Sequence, residues 1–272
     1  MMLSVSQETP LLQLANVNKH YRRARRQGQA DIVHAAKDVS FDLSRGQMAS
    51  LVGASGCGKS TVLKMIAGLI PPTGGEIRMK NRKLAGPNED IGIMFQQPTL
   101  LPWRSVLDNV LLPIEIRDGR KAATAAKDRA AQLLDMAGLA EFANAVPAEL
   151  SGGMAQRAAI CRMLVTQPEL LLLDEPFGAL DEFTREQMNV EFERICQSRD
   201  ATAIIVTHSI QEAVFLADAV FVMSPRPGRI IKRVEIDLPR PRTSNMITTV
   251  RFNEFVREIH DLLFGEGGTA HG

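Results

Sequence analysis

Aromatic residues are scarce in these 272 residues, at 5%, with one tryptophan and one tyrosine. A core must therefore come from the aliphatic part of a 45% hydrophobic composition. Cysteine is scarcer still. Cys57, Cys161 and Cys196 are odd in number, scattered, and form no C-x-x-C pair. That argues against a disulfide framework or a zinc site and fits a reducing compartment. Neither sign of charge is in excess: 32 basic against 31 acidic residues leave a formal net of +1. This balance excludes a polyanion binder working through bulk charge, and 23% charged residues exclude broad disorder. No apolar run approaches the roughly 18 residues of a membrane span. Met1 to Pro10 lacks the basic and apolar regions of a secretory leader. A soluble cytoplasmic chain is expected, with one large domain or two small ones.

What is present is a rhythm of short apolar runs and longer helix-patterned stretches, as in an α/β protein around a largely parallel sheet. The clearest strands are Met48–Val52, Leu170–Asp174, Ala203–Thr207 and Ala219–Met223, near-continuously apolar as strands buried on both faces should be. Between Pro98 and Glu149 the texture becomes Ala-rich and charge-spaced, and Lys121–Ala137 reads as helix. At the far end, Phe252, Phe255, Val256, Ile259, Leu262 and Leu263 recur at helical spacing, before a glycine-rich tail from Gly265 to Gly272.

Gly53-Ala54-Ser55-Gly56-Cys57-Gly58-Lys59-Ser60-Thr61 follows the first of those strands and opens a helix to about Ala67. It matches G-x-x-x-x-G-K-[ST], a phosphate-binding loop. Glycines let the backbone fold tightly, so that successive N–H groups point at the phosphates, and the helix N-terminus adds its positive end. Lys59 can reach the β- and γ-phosphates, and Ser60 can offer a hydroxyl to Mg²⁺. Cys57 is either a small residue filling the turn or a thiol with a lowered pKa. Leu170-Leu-Leu-Leu-Asp174-Glu175-Pro176 ends an apolar strand in two carboxylates. Beside a phosphate loop, Asp174 is expected to hold the hydrated magnesium and Glu175 to accept a proton from the attacking water. Leu150-Ser-Gly-Gly-Met-Ala-Gln-Arg157 precedes a second apolar helix, with Ser151 suited to cap it. This is either an ordinary capped turn or a second anion cradle, which a dimer would close over the other subunit's phosphate loop.

Together with Ala179-Leu180-Asp181 and His208 after a strand, these motifs make the chain resemble the nucleotide-binding subunit of an ABC transporter, over Leu12 to about Leu238. The resemblance implies a P-loop NTPase (RecA-like) α/β core at 12–238, with an N-terminal antiparallel β subdomain and a helical subdomain inserted at about 98–160. Residues 1–11 would form an arm and 239–272 an extension with an amphipathic helix. ATP and Mg²⁺ are the implied cofactors. Gln96, after the strand Ile91–Met94, matches the glutamine that touches Mg²⁺ and attacking water, and His208 the histidine that contacts the γ-phosphate. Tyr21 matches the aromatic that stacks on adenine. Ser151, Gly152, Gly153 and Gln156 match the signature that reaches ATP across a homodimer, and Asp181 an acidic residue of the dimer interface. On the residues alone, Tyr21 is equally an edge-strand aromatic, Gln96 a loop polar group, and His208 a helix N-cap. Ala155 stands where many such subunits carry a polar or basic residue.

Leu100-Leu-Pro-Trp103-Arg-Ser, Ser224-Pro-Arg-Pro-Gly-Arg-Ile230 and Asp237-Leu-Pro-Arg-Pro-Arg242 are similar to segments of bacterial nitrate/sulfonate/taurine importer ATPases. That similarity implies membrane permease subunits as partners and, indirectly, a solute-binding protein, at the cytoplasmic face of the cell membrane. Trp103 is then a docking anchor or a core residue of the helical subdomain. The rival class is a non-transport ABC ATPase acting on nucleic acid or ribosomes, for which Arg22, Arg23, Arg25 and Arg26 are the candidate contacts. A net charge of +1 gives no broad footprint for nucleic acid.

Overall fold

The strands run β1 (Leu12–Ala24), β2 (Ala30–Leu43), β3 (Met48–Val52), β4 (Gly74–Met79), β5 (Arg82–Lys83), β6 (Ile91–Met94), β7 (Leu170–Asp174), β8 (Thr202–Thr207), β9 (Ala219–Met223) and β10 (Ile230–Glu235). They form two sheets. The computed structural model describes residues 9–24 and 30–265. Arg25 and Arg26 of the arginine cluster, most of the N-terminal arm and the tail beyond Gly265 lie outside the described residues.

The larger sheet has the order β10-β9-β3-β8-β7-β6 and is parallel except for β10, which runs antiparallel to β9. In Leu170–Leu173 successive side chains face opposite sides. Leu170 and Leu172 join the core beneath the smaller sheet, and Leu171 and Leu173 join the core on the other face. Both faces are covered, which is why this strand shows no alternation. Truncating such a leucine to alanine costs about 2–5 kcal/mol.

The smaller sheet, β2-β1-β4-β5, is antiparallel. Its inner residues Leu12, Leu14, Val17, Val39 and Leu43 pack with α1 (Lys59–Ile66) against the main sheet. The opposite face carries α2 (Val106–Asp118), α3 (Arg120–Ala125), α4 (Lys127–Met136), α5 (Gly152–Leu164), α6 (Glu182–Gln197), α7 (Ile210–Leu216) and α8 (Val250–Phe264). The helix expected at Lys121–Ala137 is split. Ala126, at φ −90° and ψ 2°, donates its N–H to both Ala122 and Ala123 carbonyls, which tightens the turn and ends α3. α8 buries Phe252, Phe255 and Ile259 of the helical stripe read from sequence, while Val256, Leu262 and Leu263 are half-buried. Among the described residues no helix is long and apolar enough to cross a membrane.

Candidate nucleotide-hydrolysis site

The sheet order builds the site. Strands β3, β8, β7 and β6 are consecutive neighbours, and the phosphate loop, His208, the Asp174–Glu175 pair and Gln96 follow their respective C-terminal ends. Residues more than a hundred positions apart therefore meet at one edge, where open parallel sheets bind ligands. Register fixes the level: Val52 lies opposite Thr207, Asp174 opposite Val206, and Met94 opposite Leu173.

The loop between β3 and α1 requires glycine at Gly58. Its φ is 115°, and a Cβ there would stand 2.2 Å from the Ala35 carbonyl oxygen. Lys59 is buried, and its Nζ donates to the carbonyls of Gly53 at 2.8 Å and Ala54 at 3.1 Å, which curls the loop around its own cation. Cys57 is buried as well, a packing residue of this turn. Ser60 Oγ donates to Asp174 Oδ1 at 2.8 Å. Burial pushes the Asp174 carboxyl above its ordinary range, the Ser60 bond opposes this, and the neighbouring Glu175 charge adds to it.

Glu175 is held at φ 49°, uncommon for a non-glycine residue, with its N–H bonded to the Val206 carbonyl at 2.8 Å. Its Oε2 lies 3.3 Å from His208 Nδ1 and 3.5 Å from Gln96 Nε2. One carboxylate thus gathers the two polar residues that follow β8 and β6, next in sequence to the Asp174 that Ser60 holds. The donors there fit magnesium: a serine hydroxyl, a carboxylate and a side-chain amide oxygen are hard ligands. Among the described residues no cluster of three His, Cys, Asp or Glu side chains competes for a metal.

Ser151 caps α5, its Oγ accepting from Met154 N at 3.3 Å, and remains exposed with Gly152. The Gln156 side chain is buried and donates to the Pro176 carbonyl, bracing α5 against the segment after Glu175. Asp181 caps α6, accepting from Thr184 N at 3.0 Å, and those backbone donors hold its carboxyl below the usual range. Tyr21 is 44% exposed, with Lys19 Nζ 5.2 Å from its ring centre.

A family profile described as ABC transporter matches residues 36–178. The chain belongs to the ABC transporter family. It is 48% identical to a taurine import ATP-binding protein of Rhizobium johnstonii, over 76% of this chain and 79% of that one. It is 42% identical to an aliphatic sulfonates import ATP-binding protein of Burkholderia cenocepacia, over 94% and 91% of the two chains. Among solved structures it resembles the ATP-binding cassette MJ0796 in a dimeric post-hydrolysis state bound to ADP and Pi. That match has a TM-score of 0.71 and 32% identity, over 84% of this chain and all of that one. As a member of this family the ABC subunit binds and hydrolyses ATP.

Several residues of this ABC subunit were not singled out by sequence. Arg226, within Ser224–Ile230, places its Nη2 2.9 Å and its Nε 3.2 Å from the Gly56 carbonyl oxygen, bracing the phosphate loop from outside. Asn109 is fully buried and bonds Leu101 N and the carbonyls of Leu101, Arg104 and Ser105. Arg162 bonds the Thr99 carbonyl at 2.9 Å. These two fix the loop after Gln96, at whose tip Trp103 stands 74% exposed, which removes the core alternative for the tryptophan. The signals lay in the sequence as unassigned polar residues, an asparagine and an arginine inside apolar helices and an arginine in a proline-rich turn.

Proposed function

We propose that this subunit powers the uptake of a small anion or organic solute of the taurine, sulfonate or nitrate type. In this reading it works as a homodimer beneath a pair of membrane permease subunits fed by a solute-binding protein, at the cytoplasmic face of the membrane. The observation that carries the chemistry is the Glu175 carboxylate with His208 and Gln96 in reach beside the Ser60–Asp174 pair. Relatives named as taurine, sulfonate and nitrate import ATP-binding proteins support the choice of solute.

Backbone N–H groups of Gly53 to Thr61 receive the phosphates, and Lys59 turns its charge from the loop carbonyls to the β- and γ-phosphates. Ser60, Asp174 and Gln96 would hold magnesium, which neutralises phosphate charge when bound. Glu175 takes the proton of the attacking water, and His208 orients that carboxylate and the γ-phosphate. Tyr21 stacks on the adenine. Ser151, Gly152 and Gly153 of a second copy close over the nucleotide, with Asp181 at the interface.

Trp103, raised on a loop fixed by Asn109 and Arg162, is the anchor for the permease, since Trp is enriched in interface hot spots. Reconstitution tests the whole reading. Liposomes holding this subunit with its permease and binding protein should take up taurine, an alkanesulfonate or nitrate only with ATP inside. Trp103→Ala should lower permease-stimulated hydrolysis and spare the basal rate. Uptake of none of these solutes by an assembled, ATP-hydrolysing complex would remove the solute assignment.

A further inference from the structure

The peptide that joins Gly56 to Cys57 is free, by its own chemistry, to stand either way round. Gly56 is at φ 73°, and without a side chain it opposes no turn of the peptide plane. That plane is rigid, so its carbonyl and its N–H point in opposite directions. In the structure the carbonyl faces outward and takes two bonds from Arg226, from Nη2 at 2.9 Å and from Nε at 3.2 Å. The N–H of Cys57 then donates across the loop to the Ala54 carbonyl at 3.2 Å. Lys59 Nζ donates to that same carbonyl at 3.1 Å, so the N–H lies on the side of the loop that the cation occupies. Were the peptide reversed, a carbonyl oxygen would meet any anion drawn there.

Arg226 is itself held by its turn. Ser224 N donates to the Arg229 carbonyl at 2.9 Å, and Ser224 Oγ accepts from Arg229 N at 3.1 Å and donates to the Pro227 carbonyl at 3.0 Å. Gly228, in the same turn, lies with its backbone against the loop: a Cβ there would stand 2.1 Å from the Cys57 carbonyl oxygen. It is also tied to β2, donating to the Ala35 carbonyl at 3.3 Å and accepting from Lys37 N at 2.9 Å. Two pieces of backbone thus enclose the outer side of Cys57 and Gly58. Arg226 adds a charge to this enclosure and aims two donors at one oxygen, a stronger arrangement than a neutral bond.

We propose that Arg226 is a positioning residue for nucleotide binding: by holding the Gly56 carbonyl outward it selects the form of the phosphate loop in which the Cys57 N–H is turned toward the phosphates. This rests on the reading of Gly53–Thr61 as the cradle of ATP. Arg226 acts through the loop, so its loss weakens ATP and ADP binding alike and leaves the hydrolytic step, set at Glu175, as it was.

The test is the dissociation constant for ADP, with KM and kcat for ATP, on the full chain and its variants. Arg226→Ala should raise the dissociation constant and KM about fivefold or more, with kcat within about twofold. Arg226→Lys, which keeps a charged donor, should recover most of the loss. Arg229→Ala takes the same charge from the same turn, leaves the Gly56 contact in place, and should bind as the unmodified chain does. Unchanged constants in Arg226→Ala overturn the inference. So does a loss confined to kcat, or an equal weakening in Arg229→Ala, which would make the effect one of general surface charge. Should Arg226→Ala fail to fold in a thermal melt, Arg226→Gln, which keeps part of the stem without the charge, is titrated in its place. Lys59→Ala runs alongside: if it binds ADP as tightly as the unmodified chain, the reading of the cradle falls first. If it loses affinity while Arg226→Ala does not, only the role of Arg226 falls.

Discussion

In the proposed reading Glu175 is the residue on which the chemistry turns, because its carboxylate lies within reach of both His208 and Gln96. Glu175→Gln should bind ATP as before and lower hydrolysis by about a hundredfold or more, measured as phosphate release under saturating ATP. Lys59→Ala, by contrast, should lose nucleotide affinity in a binding titration, since the charge meant for the phosphates is gone. The buried Glu212 gives a stability signature of its own. Its folded-state carboxyl is raised from the ordinary 4.5 to about 7. The unfolded chain therefore releases this proton first, and stability present below pH 4.5 is lost as pH rises through about 7. Glu212→Gln should flatten that part of the curve, so denaturation midpoints at pH 5 and pH 8 should differ less than in the unmodified chain. Equal differences in both chains would mean the acid is not buried as described.

At the scale of elements, α7 deserves its own experiment because both of its ends are held by side chains. Ser209 caps the start, and at the other end Arg242 Nη1 donates to the carbonyls of Val214, Phe215 and Ala217 while Arg240 Nη2 reaches Leu216. Arg240 also pairs with Glu193, itself 1% exposed. Arg242→Met strips three carbonyls of their donor inside the core, at a cost of about 3–5 kcal/mol. The expected drop in melting temperature is on the order of 10 °C. None of this was legible in Asp237–Arg242, which reads only as a basic, proline-rich turn. The strands of the larger sheet were legible because burial on both faces leaves an unbroken apolar run, as in Leu170–Leu173. β1 and β2 were harder to find from residue pattern. Their outward faces are polar and the pairing slips at Val17 and Lys19, which blurs the period of two. Consecutive residues made the phosphate loop readable, whereas the inward turn of Gln156 depends on where Pro176 lies and could be set only by the fold.

For the molecule as a whole, the proposed function makes Gly53–Thr61 and Ser151–Gly153 two anion cradles, with each nucleotide held by two subunits. Mixing Lys59→Ala chains with Ser151→Arg chains should then restore part of the nucleotide trapping that each variant lacks alone. Trapping that stays absent although mixed dimers form would count against a shared site. The sheet order carries a different consequence, for the making of the protein. β3 pairs only with β8 and β9, whose residues, from Thr202 to Met223, come about 150 positions later. All strands of the smaller sheet have been made by Lys83, but its inner face packs against Ile204, Val206 and Phe221 from that distant stretch. A growing chain can therefore pair the strands of its antiparallel sheet early, while the inner face of that sheet and the strand bearing the phosphate loop both wait for their partners until most of the polypeptide has been synthesised. Competence to hold ATP is therefore expected late in translation, and chains truncated before β8 should show no binding in a nucleotide titration.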